Sequence, residues 1–302
     1  MSILVSGSLA FDSIATFPGR FADQILADQL HILNVSFLVP SLRREWGGCA
    51  GNIAYNLAQL GAQAAVTAAV GADGRDYVAR LDSIGVDVRA ILVDDPSHTA
   101  QAFIMTDRDN NQITAFHPGA MSEAHRVVWS PQGVTLGIVG PDGRGAMLLR
   151  ARQLADARVP FVFDPGQGLP MFDGADLRGF LELATWVAVN DYEGHMLSQR
   201  MGATIGELSR MPNLRGIVVT LAGEGCDVWQ QGTRVHVPAV KAIEVIDPTG
   251  CGDAFRAGLL VGLDRGWSLE RCCVLGNRLG STKIAHRGCQ NHRFDREQML
   301  TF

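Results

Sequence analysis

The stretch Ile246-Asp247-Pro248-Thr249-Gly250-Cys251-Gly252-Asp253-Ala254-Phe255 decides how the rest of the chain is read. The β-branched residues Ile243, Val245 and Ile246 predict a strand entering a turn, and Pro248 cannot continue that strand's ladder. Gly250 and Gly252 let the backbone turn tightly and bring N–H groups close to a ligand. From Asp253 to Leu263 the sequence is apolar nearly all round, which predicts a buried helix. Free N–H groups and the helix dipole then point the same way and form an anion site. A carboxylate at the mouth of such a site repels the anion. Asp253 therefore has two readings. It is a plain helix cap, or it is a base that takes a proton from a hydroxyl attacking a phosphate, its ionised form favoured by the helix terminus.

Around this stretch, strand and helix alternate. Ile3–Ser6, Ala64–Val70, Gly137–Gly140, Pro160–Asp164, Trp186–Asn190 and Gly216–Leu221 read as buried strands. Helical patterns lie between them, as at Asn52–Leu60 before Gly61 and at Tyr77–Ile84 before Gly85. The pattern predicts an α/β fold: a doubly wound, mainly parallel sheet flanked by helices. Several strands end in a polar residue, where such sheets place their ligands. Two β-rich segments interrupt the alternation, about 13–45 and 98–118. The first carries Phe17, Phe21 and a β-like run Ser36–Val39 ended by Pro40. The second is a hairpin turning at Asp107–Asn111. Neither can bury a sheet face alone, so they are expected to pair as a small β-sheet lid on a single domain spanning 1–302.

Composition narrows the class. Hydrophobic residues make up 47% of the 302 and charged residues 19%, a globular balance. A net charge of −5 argues against nucleic acid or an anionic membrane as the main partner. No apolar run approaches a membrane span, and the N-terminus lacks the pattern of a signal peptide, so a cytoplasmic location is expected. The six cysteines form no C-x-x-C pair and read as reduced, small, buried residues. There is no internal repeat.

Taken together, Asp247-Pro248-Thr249-Gly250-Cys251-Gly252-Asp253 resembles the signature of the ribokinase (PfkB) family of carbohydrate and nucleoside kinases, D-[TP]-[TV]-G-[AC]-G-D. Further segments resemble the family along essentially the whole chain. Gly47-Gly48-Cys49-Ala50-Gly51-Asn52 is similar to its G-G-x-x-x-N signature, with glycines that let backbone approach a substrate and an Asn52 able to donate and accept. Asn190-Asp191-Tyr192-Glu193 resembles N-x-x-E, and Thr220-Leu221-Ala222-Gly223-Glu224-Gly225 resembles T-x-x-G-x-G. Read by itself, Asn190 with Glu193 is equally a helix-capping pair.

The resemblance implies an ATP-dependent phosphotransferase. Asp253 would be the base, with Gly250, Cys251 and Gly252 forming the anion hole beside it. Asp12, expected at the end of the first strand, would hold the sugar together with Gly48 and Asn52. Asn190, Thr220, Gly223, Gly225 and Asn277 would contact ATP, and Glu193 would order Mg2+ through water, in keeping with that ion's retained hydration. Many relatives carry a monovalent-cation loop to which Asp247 and Thr249 would contribute. His292 stands where ribokinase-like members have a serine ligand, which counts against a K+ site here.

For the acceptor, the family's sugar kinases usually have an Asn two residues before the substrate Asp, where this chain has Ala10. Phe103 and Phe116 offer aromatic faces for a base. The segments Gly7–Asp12, Phe116–Met121 and His286–Gly288 look most like bacterial-type adenosine kinases. The 5′-hydroxyl of adenosine is the first expectation, which would place the chain in purine salvage. A pentose or hexose such as ribose or fructose is the alternative, and a homodimer through the lid is the expected assembly.

Overall fold

A computed structural model describes residues 2–25, 34–109 and 111–302. Met1, residues 26–33 of the expected lid and Asn110 of the expected hairpin turn lie outside the described residues.

The larger of two sheets has nine strands. In chain order they are β1 (Ser2–Ser6), β4 (Ala64–Gly71), β5 (Asp87–Asp94), β8 (Val134–Val139), β9 (Phe161–Phe163), β10 (Trp186–Asn190), β11 (Gly216–Thr220), β12 (Gly225–Gln230) and β13 (Thr233–Pro238). Their spatial order is β13-β12-β11-β10-β9-β8-β1-β4-β5. Every neighbouring pair from β11 to β5 is parallel, and β12 and β13 add an antiparallel edge.

Helices cover both faces, and the strands show why. Ile3 and Val5 of β1 belong to one apolar cluster, while Leu4 between them belongs to another. The same alternation separates Trp186 and Ala188 from Val187 and Val189 in β10. One face is closed by α1 (Cys49–Gln59), α2 (Arg75–Ser83), α7 (Cys251–Asp264) and α8 (Leu269–Lys283), through Ile53, Tyr77, Leu259 and Leu275. The other is closed by α3 (Arg144–Asp156), α4 (Gly174–Leu183) and α5 (Asp191–Met201), through Met147, Leu177 and Leu197. The short α6 (Ile205–Leu208) and α9 (Arg296–Leu300) complete the α-helices among the described residues. None of the described helices is long and apolar enough to cross a membrane.

The smaller sheet is β2 (Ala10–Thr16), β3 (Ser41–Gly47), β6 (Ala100–Thr106) and β7 (Gln112–His117), in the order β3-β2-β6-β7. The two β-rich segments do pair, through parallel β2 and β6. Three local expectations differ from the structure. Asp12 lies within β2, in the smaller sheet, and does not end the first strand. Ser36–Val39 is not a strand, because Phe37 packs edge-on against Phe17 and Phe21 and pairing begins only at Ser41. Ile243–Ile246 is not a strand either. Ile243 and Val245 are exposed, and the N–H groups of Ile246 and Asp247 both donate to the Ile284 carbonyl beyond α8.

Candidate active site

The site is built on the N-terminus of α7. Gly250 caps the helix with φ 77°, a left-handed conformation in which an added Cβ would lie 2.9 Å from Cys289 Sγ. The first intrahelical bond runs from Ala254 N–H to the Gly250 carbonyl, leaving the earlier N–H groups without helical partners. One of these, Cys251 N–H, closes a turn on the Pro248 carbonyl at 3.2 Å. Of the residues expected to form the anion hole, Cys251 therefore shares its N–H with this turn, while Gly250, Gly252 and Asp253 have no such turn bond.

Asp253 sits in the first turn of α7. Its Oδ2 accepts a 2.8 Å hydrogen bond from Asn52 Nδ2 of α1. Gln290 fixes the orientation of that amide, since its Nε2 donates to Asn52 Oδ1 at 3.0 Å and to the Tyr77 hydroxyl at 2.5 Å. Tyr77 in turn donates to the Gly47 carbonyl at 2.7 Å. Gly51 permits this run of bonds, because a methyl there would overlap the Tyr77 hydroxyl.

Asp253 keeps part of its surface open, yet burial of its carboxyl pushes its pKa up to about 7. The Asn52 hydrogen bond and Arg256 lower it, and Asp164 and Asp12 raise it. Burial thus outweighs the helix terminus, which by itself would keep the group ionised. Beneath Asp253, Arg256 makes a buried two-point ion pair with Asp164 just after β9, Nε to Oδ2 at 3.1 Å and Nη2 to Oδ1 at 3.0 Å.

Asp12 faces this cluster from β2. Burial, then Asp247 and Glu45, raise its pKa to about 6. Gly47 on the paired strand makes room for it, since a Cβ there would come 2.6 Å from Asp12 Oδ2. Gly48 has φ 81°, and a Cβ on it would meet the Ser8 carbonyl at 2.5 Å. Asp12, Asn52, Gly48 and the Gly250–Asp253 turn are therefore gathered at one place.

The nucleotide candidates line the sheet's carboxyl end by register. Asn190 is paired with Thr220, Thr220 with Cys226, and Gly225 with Pro238. Asn277 on α8 donates to the Val237 and Pro238 carbonyls at 3.4 and 2.9 Å, so its amide nitrogen ties α8 to β13. Gly225, with φ 104°, brings the backbone against Val237, whereas Gly223 faces open space. Asn190 and Glu193 form a full capping box on α5, each side chain accepting from the other's backbone N–H at 2.8 Å. Asn190 Nδ2 also donates to Glu193 Oε1 at 2.9 Å. Burial raises the Glu193 pKa, with Asp164 adding to the shift.

No group of three or more His, Cys, Asp or Glu side chains that could hold a metal occurs among the described residues. Glu193 suits a hydrated magnesium ion, because its oxygens, already bonded to Asn190, keep lone pairs for water.

The register separates the two lid phenylalanines. Glu45, Asp12, Ala102 and Phe116 lie directly opposite one another across the small sheet, so they share a face. Phe103 falls in the next row with Arg44, Ser13 and Ala115, on the other face. Within one chain, Phe103 and Phe116 therefore cannot both stack on the same base, and only Phe116 shares the face of Asp12. Residues that sequence reasoning missed are Arg256, Asp164, Gln290 and Tyr77. The signal that could have found Arg256 is a lone charge inside an otherwise apolar helix. Cys49 and Cys251, expected to be buried, keep some exposure; the other four cysteines are buried, and none of the six is in a disulfide.

Comparison with known proteins places these features in a group. The pfkB family carbohydrate kinase model matches residues 14–295. The nucleoside kinase of Methanocaldococcus jannaschii is 30% identical over 262 residues, 86% of this chain and 85% of its own length. The structure of Burkholderia thailandensis nucleoside kinase in complex with inosine matches with a TM-score of 0.88 and 45% identity, covering 99% of this chain and 95% of that one. That enzyme has also been solved in an ADP–inosine complex. The adenosine kinase of Sinorhizobium meliloti matches with a TM-score of 0.75 and 25% identity, over 96% and 95% of the two chains.

Proposed function

Because the chain belongs to the pfkB family of carbohydrate kinases and is an ATP-dependent kinase of nucleosides or sugars, we propose that its acceptor is the 5′-hydroxyl of a purine nucleoside, adenosine first and inosine beside it. The observation that carries this reading is the shared face of Asp12 and Phe116. They stand two strands apart, roughly 10 Å at ordinary strand spacing. Ribose hydroxyls on the Asp12 carboxylate and the Asn52 amide would leave the base within reach of the exposed Phe116 ring. The 5′-hydroxyl would then lie toward Asp253.

In this reading Asp253 accepts the hydroxyl proton as the oxygen bonds to the γ-phosphorus and ADP leaves. The free N–H groups of Gly250, Gly252 and Asp253 stabilise the charge on the phosphoryl oxygens. Arg256 offsets the buried charge of Asp164 beneath them. Magnesium, held through water by Glu193, would neutralise charge on the nucleotide phosphates. The exposed apolar residues Val240 and Ile243, which follow β13 just past the Pro238 carbonyl held by Asn277, suit the nucleotide's base end. We place the homodimer contact on the lid's other face, where Leu42, Phe103 and Ile113 are exposed.

A coupled ADP-release assay with adenosine, inosine, guanosine, ribose and fructose tests the acceptor. Purine nucleosides should exceed ribose in kcat/KM by roughly 5–150-fold, the equivalent of about 1–3 kcal/mol of stacking, and Phe116→Ala should remove most of that margin. Equal or better turnover of ribose or fructose would overturn the nucleoside reading in favour of a sugar kinase.

A further inference from the structure

Lys283, the last residue of α8, is fully buried. Its Nζ donates to the backbone carbonyls of Asp247 at 2.8 Å and His286 at 3.2 Å. An ammonium removed from water needs compensating partners. Here these are the two carbonyls, the negative end of α8 and the nearby Asp247 carboxylate. Although burial opposes its charge, Asp247 is held below the usual carboxylate range by the Gly288 N–H, by Thr249 and by Lys283. The Gly288 and Thr249 N–H bonds to its two oxygens are 2.9 and 3.0 Å.

Lys283 therefore ties together the start of the phosphate turn at Asp247, the end of α8 and the turn at His286–Gly288. A monovalent cation coordinated by the Asp247 loop would do the same work, drawing carbonyl oxygens inward around a positive charge. The groups present do not fit one. The Asp247 carbonyl is already taken by Nζ. His292, at the position where a serine ligand is expected, is fully buried and donates from Nε2 to Asn56 Oδ1 at 2.7 Å. Burial, with Lys283 and His286 nearby, lowers its pKa to about 3, so it adds no charge.

We propose that Lys283 is a built-in substitute for the monovalent cation: its ammonium orders the Asp247–Gly252 turn, and the enzyme needs no added K+. Lys283 acts through that turn and is a positioning residue. The turnover arm of its test rests on the kinase reading, whereas the melting arm does not.

The wild type and Lys283→Met are compared in KCl, ammonium chloride and choline chloride at equal ionic strength, by thermal melting and by ADP release. Wild-type Tm and kcat should be the same in all three salts. Lys283→Met should melt lower and turn over about 10–100-fold more slowly in choline, the loss expected for hydrogen bonds to a charged group. KCl or ammonium chloride should restore part of both, because a bare cation can then occupy the vacated carbonyls. Recovery of folded Lys283→Met only in KCl or ammonium chloride supports the proposal equally.

A wild type that gains several-fold in kcat from KCl over choline overturns the proposal. So does a variant unaffected in choline, or one whose loss no small cation repairs. If the variant folds in none of the salts, the wild-type comparison decides alone. If no acceptor turns over in any salt, the kinase reading fails while the melting comparison still decides the role of Lys283.

Discussion

Asp253 is the point at which local chemistry and distant structure meet. Its place at a helix start and its glycine neighbours are visible in the sequence, but its donor is not. Asn52 lies on another helix, 201 positions away in the chain, and no periodicity encodes that contact. Burial and the surrounding carboxylates then move its pKa to about 7, so a carboxyl whose ionised form the helix terminus favours instead titrates near neutral pH. The sign follows directly. Below pH 7 the carboxyl is protonated and cannot accept the hydroxyl proton, so kcat/KM should rise with pH and level off above about 7. Asp253→Asn keeps an oxygen for Asn52 but cannot act as a base, and should lower kcat by about 10²–10⁴-fold with substrate binding retained. Near wild-type turnover would remove Asp253 from the mechanism. Because the Asn52 bond lowers this pKa, Asn52→Leu should move the acid limb of the pH profile upward; a profile that stays in place would mean that the bond does not govern the base. Asp12 and Asn52 were legible as substrate candidates because polar side chains beside paired glycines suit a hydroxylated ligand. Asp164, Gln290 and Tyr77 were not, since each acquires its role only from a partner distant in sequence, and Arg256 was marked only by its charge inside an apolar helix.

Two glycines of one turn ought to behave differently, and the difference separates shape from chemistry. Gly250 has a left-handed backbone and abuts Cys289, so Gly250→Ala should cost roughly 1–2 kcal/mol and lower Tm. Gly252 has no such conformation, and its added Cβ would meet only Arg256 Nη1 at 3.5 Å. Gly252→Val should therefore melt near the wild type yet lose about 10²–10³-fold in kcat, as expected when a stabilising donor is screened from the phosphoryl oxygens. A folded and fully active Gly252→Val would show that the turn has no part in transfer. The long alternating strands and the glycine-stopped helices α1 and α2 were legible because their periods agree with their burial. The hairpin β12–β13 was not, because it turns on Gln231 at φ 50° with Gly232, a pair without the usual Asn-Gly or Asp-Gly signal. Ile243–Ile246 misled in the opposite way. Its β-branched side chains suit a strand, but no neighbouring strand is there to receive them.

The smaller sheet is joined to the larger body by crossings that suggest how it moves. Gly48 passes so close to Ser8 and Ala10 that only a glycine fits, which places the entry to β2 against the exit from β3. Tyr77 holds the Gly47 carbonyl, and Asp73 Oδ1 accepts from both the N–H and the hydroxyl of Thr99 at 2.8 Å, just before β6. Phe11 and Trp46 pack on Tyr77 at the sheet's base, with ring centroids 4.9–5.8 Å apart. Its outer strand β7, by contrast, is exposed along its whole length. A fixed base and an exposed rim suit a lid. Phosphoryl transfer requires water to be kept from the γ-phosphate, and a ligand held by both Asp12 in the small sheet and Asn52 in the large body binds the closed state better. Hydrogen exchange in 10–16, 41–47, 100–106 and 112–117 should therefore slow at saturating nucleoside, most of all in 112–117. Exchange in β9 and β10, buried in both states, should not change. If the four lid strands exchange at the same rate with and without nucleoside, the smaller sheet is a static platform, and water must be excluded by other means.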